Sequence, residues 1–579
     1  VIPNLATSLA LKQTTHSYLP TSEELSLYYE QAMLILFRIL FIAYAEDRDL
    51  LPYRSNTEYR DHSLQHRAER FVELANKNKK YIYNFDPNQS NLWDEINSLW
   101  KAVDKGNTEW GVPPNNGGLF SDDPEYRLSG YQLSQLSLMN SEFGPSIQSL
   151  LVDKIEDDLF GVVDFRSLSV REFGTIYEGL LESSLGFAEN DLAVDNEGNY
   201  ITASKNQEVI VKKGSYYLHN KSGERKFTGS YFTKEFAVEH LLDKSLIPSL
   251  QIHLDEVKKL IDSGNESSAS EMFFKFTCAD ISMGSGHFLI AAVDCIEKEM
   301  SHFLTNNPLL GVQRELDHLR NSAFDNLKNS IGIDKNSYFI ENSSLLRRQI
   351  ARRCIYGVDI NSISVELTRL SVWIHTFVPG LPLSLLDRTL ITGDSLTGIS
   401  NLNELLGIFQ VDKKDMFYNN INEKLQSAIK PLKNIAKMSE SNISEVEKIR
   451  KEYRSAINES KTVSNIMDLA VGIRLNQIDR PAWLDNFDEL NKSKDIKMAK
   501  SISKELNCVH FPLAFPEVFL SEKNGFDCII GNPPWEEVKF EARDFWTKYI
   551  PGLRSKKQSE QKKIIDKFSS SRPHLQKEL

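Results

Sequence analysis

Four short apolar runs, each broken at its end by a polar residue, limit what this chain can fold into more than any other feature. The runs "FFKFTCAD", "RRCIYGVD" and "LITGD" stop on Asp280, Asp359 and Asp394, and "FDCIIGNPPW" stops on Asn532 and two prolines. Short apolar runs alternating with helical patterns are the signature of βαβ units, hence of a parallel sheet in an α/β fold. Three successive strand ends carrying an acid line one edge of that sheet, the carboxyl edge where doubly wound folds bind ligands. Adjacent prolines continue neither a sheet ladder nor a helix. Pro533 and Pro534 therefore make a stiff, extended turn that aims what it carries.

The residues after the first run, "ISMGSGHF", combine a glycine-rich turn with the start of an amphipathic helix near His287. Gly284 and Gly286 let the backbone approach a ligand, and a helix N-terminus offers N–H groups to an anionic part of it. A plain βα turn punctuated by glycine is the competing reading. Asp359 has two readings as well. It can accept hydrogen bonds from ribose hydroxyls at the end of a second cofactor-binding strand, or cap the helix after it. Its separation from Asp280 exceeds the usual offset of about 20 residues, which an insertion after the first helix accounts for. No GxxxxGK occurs, which argues against a triphosphate-binding loop. No Pro-Cys pair supplies the nucleophile of carbon-directed cytosine methylation.

The 579 residues suffice for about three or four domains, and a 41% hydrophobic share supports a real core. Residues 1–170 read mostly as helices, with "SEELSLYYEQ" opening a buried helix on a cap at Ser22. Residues 171–250 read as a connector with a small strand-rich patch, 251–401 as the sheet, and 402–507 as a polar, helix-prone insertion. Residues 508–579 hold the proline turn and a basic tail. The five cysteines show no metal-binding spacing, so neither a zinc site nor a disulfide framework is expected, and the compartment is read as cytoplasmic. The apolar stretch 32–45 is broken by Arg38 and is short for a bilayer. A net charge of −12 argues mildly against a nucleic-acid partner, but Lys556, Lys557, Lys562, Lys563, Lys567 and Arg572 cluster near the end.

Taken together these stretches resemble the adenine-specific, amino-directed DNA methyltransferases of the γ class, specifically the large methylases of type IIG restriction-modification and of BREX-type phage defence (PglX-like). "DISMGSGHF" is similar to the methionine-side loop, "GVDINSISVELTRLSVWIHTF" to the ribose strand, "ITGDSL" to the adenine-side acid and "GNPPW" to the catalytic turn. "REFGTIYEGLLE" and "FTGSYFTKEFAVEHLL" look like the lead-in and the tenth motif, the latter preceding the first strand as the γ order requires. The resemblance implies a Rossmann-like sheet that binds S-adenosylmethionine and no metal. Asp280, Gly284 and Gly286 would sit at the methionine end, Asp359 at the ribose and Asp394 at the adenine amine, with Tyr231 and Thr233 closing the pocket. It implies double-stranded DNA as partner and site-specific methylation of adenine as activity. Ile281 and Lys234 stand where the family usually has proline, and neither change removes a liganding side chain.

Physical reasoning gives the catalytic turn a matching role. An exocyclic amine is a poor nucleophile because its lone pair is delocalised, so acceptors must draw it towards tetrahedral geometry. The Asn532 side chain and the Pro533 carbonyl can each accept one N–H. The base must first leave the duplex at a cost of a few kcal/mol, and Trp535 offers a stacking face worth about 1–3 kcal/mol. Too few residues follow Trp535 to complete such a sheet, so the remaining strands and a sequence-reading module are expected in further residues or in a second chain. An attached nuclease outside this segment and a non-catalytic, cofactor-bound role in a defence complex are the competing functions.

Overall fold

The computed structural model describes residues 1–13, 19–79, 84–114, 118–124, 127–156, 158–166, 180, 183–195, 200–204, 207–220, 234–331, 340–412, 414, 416–436, 438–480, 493–521, 523–532, 546, 549–550, 553 and 558–572. The N-terminal part is built on a long helix, Ser22–Asp47, whose residues from Tyr28 to Ala45 are almost all buried. It is the one described helix long and apolar enough to cross a membrane by length and composition, but it runs inside a packed core. Arg38 in its middle is buried and among the described residues forms no ion pair; it donates from Nε to the Leu119 carbonyl (2.9 Å) and lies over the Trp100 ring at 5.0 Å. The cap is one residue earlier than the sequence suggests. Thr21 accepts from the Glu24 amide, and the Glu24 carboxylate accepts from the Thr21 amide at 2.8 Å, so each satisfies a backbone donor that the helix leaves open.

Three small antiparallel pairs follow. Strand β1 (Val152–Glu156) pairs with β2 (Leu159–Val162), β3 (Ser183–Phe187) with β6 (Tyr216–Asn220), and β4 (Leu192–Val194) with β5 (Tyr200–Thr202). The β1/β2 hairpin falls in a stretch that reads as helical in sequence; both strands are short, and β1 is largely charged and buries only Val152, so no apolar alternation announces it.

The central sheet has four parallel strands in the order β10-β7-β8-β9, namely Cys528–Ile529, Cys278–Asp280, Ile355–Asp359 and Leu390–Thr392. The chain steps from β7 outward to β9 and then crosses back to pair β10 on the other side of β7. That reversal is a topological switch of the kind doubly wound α/β folds have, and in such folds ligands bind at the carboxyl ends beside it. Helices His287–Asn306 and Ser362–His375 follow β7 and β8, and Val365, Leu367, Leu370 and Trp373 of the latter are buried. Between β9 and β10 lie the helices Leu402–Phe409, Met416–Ala436, Ile443–Arg474 and Lys494–Glu505. They pack around their own apolar cluster, which contains Phe409, Leu469 and Ile502.

Candidate functional site

Each strand of the sheet delivers one polar residue to the same edge. Asp280 ends β7 and Asp359 ends β8, while Asp394 stands two residues beyond β9 and Asn532 three beyond β10. Register fixes the neighbours: Asp280 lies opposite Gly357, and Asp359 opposite Thr392.

The turn after β7 is held from two sides. The Gly284 amide donates to Asp359 Oδ2 (2.9 Å), and the Thr368 hydroxyl donates to the Gly284 carbonyl (2.9 Å). Both Gly284 (φ 52°) and Gly286 (φ 81°) adopt left-handed backbone, where a β-carbon is strained. At Gly286 a β-carbon would also lie 2.6 Å from the Thr368 methyl. At Gly284 a β-carbon would meet nothing within 4 Å, so the turn faces open space there. Thr368 and Gly357, whose missing side chain leaves room for the Met283 sulfur, are the supports that reasoning from sequence missed. Their contacts reach across the fold from residues with no local signature.

The electrostatics follow from burial. Asp280 is 1% exposed, accepts from the Ser282 amide (3.0 Å), and is pushed up to about 7 by burial, with the Asp359 carboxylate adding to the rise. Asp359 is also raised by burial, against the two amides of Asn361 and Gly284 that donate to it and favour its charged form. A buried carboxylate beside a half-buried one is matched to a ligand that brings donors or positive charge.

The fourth strand end meets the first. Gly531 has φ 151°, and a β-carbon there would lie 2.7 Å from Asp280 Oδ1, so the backbone entering the Asn532 turn passes directly against the buried acid. Gly531 escaped the sequence reading, although a glycine immediately before Asn532 was a visible signal. Asp394 is tied in from the other side: its amide donates to the Asn507 carbonyl (2.7 Å), its carboxylate accepts from the Leu396 amide (2.7 Å), and it bridges Cys508 in parallel. The structure thus brings together Asp280, Gly284, Gly286, Asp359, Asp394 and the backbone leading to Asn532. Tyr231, Thr233, Pro533, Pro534 and Trp535 lie outside the described residues. Of the expected basic tail, Lys562, Lys563 and Lys567 are exposed, whereas Arg572 is ion-paired to Glu189 (2.5 Å) and lies over the Phe568 ring.

A parallel sheet covered by helices, with a strand-order switch and acids along its carboxyl edge, fits an α/β methyltransferase fold. Residues 353–571 match the family model of the Eco57I restriction-modification methylase, which supports a DNA methyltransferase of the restriction-modification type. The matched range holds Asp359, Asp394 and Asn532 together with the insertion, and leaves out the Asp280 turn. No curated protein and no solved structure matches the chain.

Proposed function

We propose that this protein transfers a methyl group from S-adenosylmethionine to the 6-amino group of an adenine flipped out of DNA, as the site-specific methylase of a restriction-modification or phage-defence system. The observation that supports the reading is the close approach of Gly531, the residue before Asn532, to the Asp280 carboxylate at the end of the neighbouring strand. The residues fit the cofactor: a left-handed glycine turn faces open space, and beside it the buried Asp280 and the half-buried Asp359 form no ion pair among the described residues. Asp359 would hold the ribose hydroxyls, Asp394 the adenine amine, and Asp280 with Gly284 and Gly286 the methionine end. When bound, S-adenosylmethionine supplies an electrophilic methyl group on a sulfonium.

The Asn532 side chain accepts one N–H of the target amine and so localises its lone pair, and the Pro533 carbonyl accepts the other. Trp535 stacks on the flipped base. No covalent bond to the protein is required, because the amine itself attacks. Asn532→Ala is expected to abolish transfer of labelled methyl to adenine in genomic DNA with cofactor affinity nearly unchanged. Methylation near the wild-type rate would exclude the role of Asn532. Asp359→Ala is expected to weaken S-adenosylmethionine binding at least tenfold, about 1.4 kcal/mol; unchanged affinity in calorimetry would remove the ribose assignment.

A further inference from the structure

The helix Lys494–Glu505 is the last element of the insertion before the chain returns to the sheet. It is pinned on one side, with Ile496, Ala499 and Ile502 in the apolar cluster of the insertion. On the other side Lys494, Lys497, Lys500 and Lys504 are all exposed, and among the described residues none of them forms an ion pair. At about 100° per residue these four fall within one third of the helix circumference, in a row about 15 Å long.

The row is self-repelling. Lys494 and Lys497, Lys497 and Lys500, and Lys500 and Lys504 are neighbours at three- and four-residue spacing, where like charges weaken a helix. In a chain with 80 acidic against 68 basic residues, carboxylates to neutralise such a row are plentiful elsewhere. Its position is informative as well. The Asn507 amide donates to the Lys504 carbonyl (3.2 Å), and the Asn507 carbonyl accepts from the Asp394 amide (2.7 Å). The charged row therefore runs down to the sheet edge that carries the candidate site.

We infer that Lys494, Lys497, Lys500 and Lys504 form a surface for the phosphate backbone of duplex DNA, holding the duplex across the insertion while its target base enters beside Asn532. The inference rests on the methyltransferase reading for the identity of the polyanion. It assigns sequence-independent contacts only, since lysine on phosphate positions a duplex without reading bases. It also places them on the insertion rather than on the basic tail.

The test measures binding of the full chain to a random-sequence DNA duplex by fluorescence anisotropy between about 50 and 200 mM KCl. Each neutralised phosphate contributes about 0.9 to the slope of log affinity against log salt. The combined variant K494Q/K497Q/K500Q/K504Q is expected to flatten that slope by about 3 to 4, and the matching Lys→Arg variant to keep it, both with the wild-type circular-dichroism melt. A slope changed by less than one in the Gln variant, or wild-type protein that does not bind duplex DNA, overturns the inference. Methyl transfer by the wild type is scored separately. A stripe-dependent slope without methylation leaves the surface standing and removes the methyltransferase reading, and methylation with a stripe-independent slope does the reverse.

Discussion

Asp280 is the residue on which the site's chemistry and the fold's stability pull in opposite directions. Its acid form is favoured by burial and by Asp359, which raises it to about 7 in the folded protein, against about 3.9 in an unfolded chain. A raised carboxyl group contributes stability that is fully present below the unfolded value and is lost as pH rises through the folded value. Wild-type protein without ligand is therefore expected to melt lower at pH 8 than at pH 5. Asp280→Asn should lessen that fall, with part of it surviving because buried Glu46, also raised to about 7, has the same sign. Thermal melts across that pH range check this, and identical profiles for the two proteins would contradict it. Thr368 acts at the same scale by positioning. Thr368→Val keeps the shape but removes the donor to the Gly284 carbonyl, and it should raise the KM for S-adenosylmethionine roughly tenfold with kcat little changed, about 1.4 kcal/mol. Equal KM values would mean the turn holds without it. The strand-end positions of the acids are legible in the sequence because each closes an apolar run. Thr368 is not, since it lies 84 residues from its partner on a helix whose pattern records only its own buried face.

At the scale of elements, buried polar contacts fasten the insertion to the segments that flank the sheet strands. Glu440, in the turn between the helices Met416–Ala436 and Ile443–Arg474, pairs with Arg352 Nε at 2.9 Å, both side chains almost fully buried. The Arg348 guanidinium reaches the Glu440 carbonyl as well. On the far side His510 Nδ1 accepts from the Ile399 amide (3.2 Å), which leaves Nε2 as the donor to Asp468 (3.1 Å). Removing one partner of a buried pair strands the other, so Glu440→Ala should cost about 3–5 kcal/mol in denaturant unfolding. Adding Arg352→Met should restore most of that. A single variant costing under about 1 kcal/mol would show that water reaches the pair. The helical character of this region can be read from its polar, glycine-poor sequence. Its attachment cannot, because Glu440 and Arg352 look like surface residues until the fold buries them. Strand β6 is a similar case: the connector reads as strand-rich, but the start of β6 at Tyr216 is set by Gly214, which turns the backbone at φ 84°.

Across the whole molecule, apolar packing divides the chain differently from the order of its segments. One cluster runs without a break from Ile2 through Phe41 and Leu254 to Cys278, Trp373 and Ile530, so the N-terminal helices and the sheet share a core. The rings of Phe41 and Phe377 meet edge to face at 6.2 Å across that junction, and Arg127 is ion-paired to Glu366 at 2.6 Å beside it. The insertion keeps a separate cluster around Phe409, Val463, Leu469 and Ile502. Cooperative units follow contiguous cores rather than sequence order. Phe41→Ala, at about 3–5 kcal/mol for a buried ring, should lower the stability of the N-terminal helices and of strands β7 to β10 together. Native-state hydrogen exchange would then show equal losses of protection in Ser22–Asp47 and in Ile355–Asp359. Leu469→Ala, at about 2–5 kcal/mol, should instead speed exchange in Ile443–Arg474 and Lys494–Glu505 and leave Ser22–Asp47 protected. If Leu469→Ala deprotects all of these helices equally, the buried contacts of Glu440 and His510 transmit folding energy as strongly as the shared core does, and the insertion and the sheet are one cooperative unit.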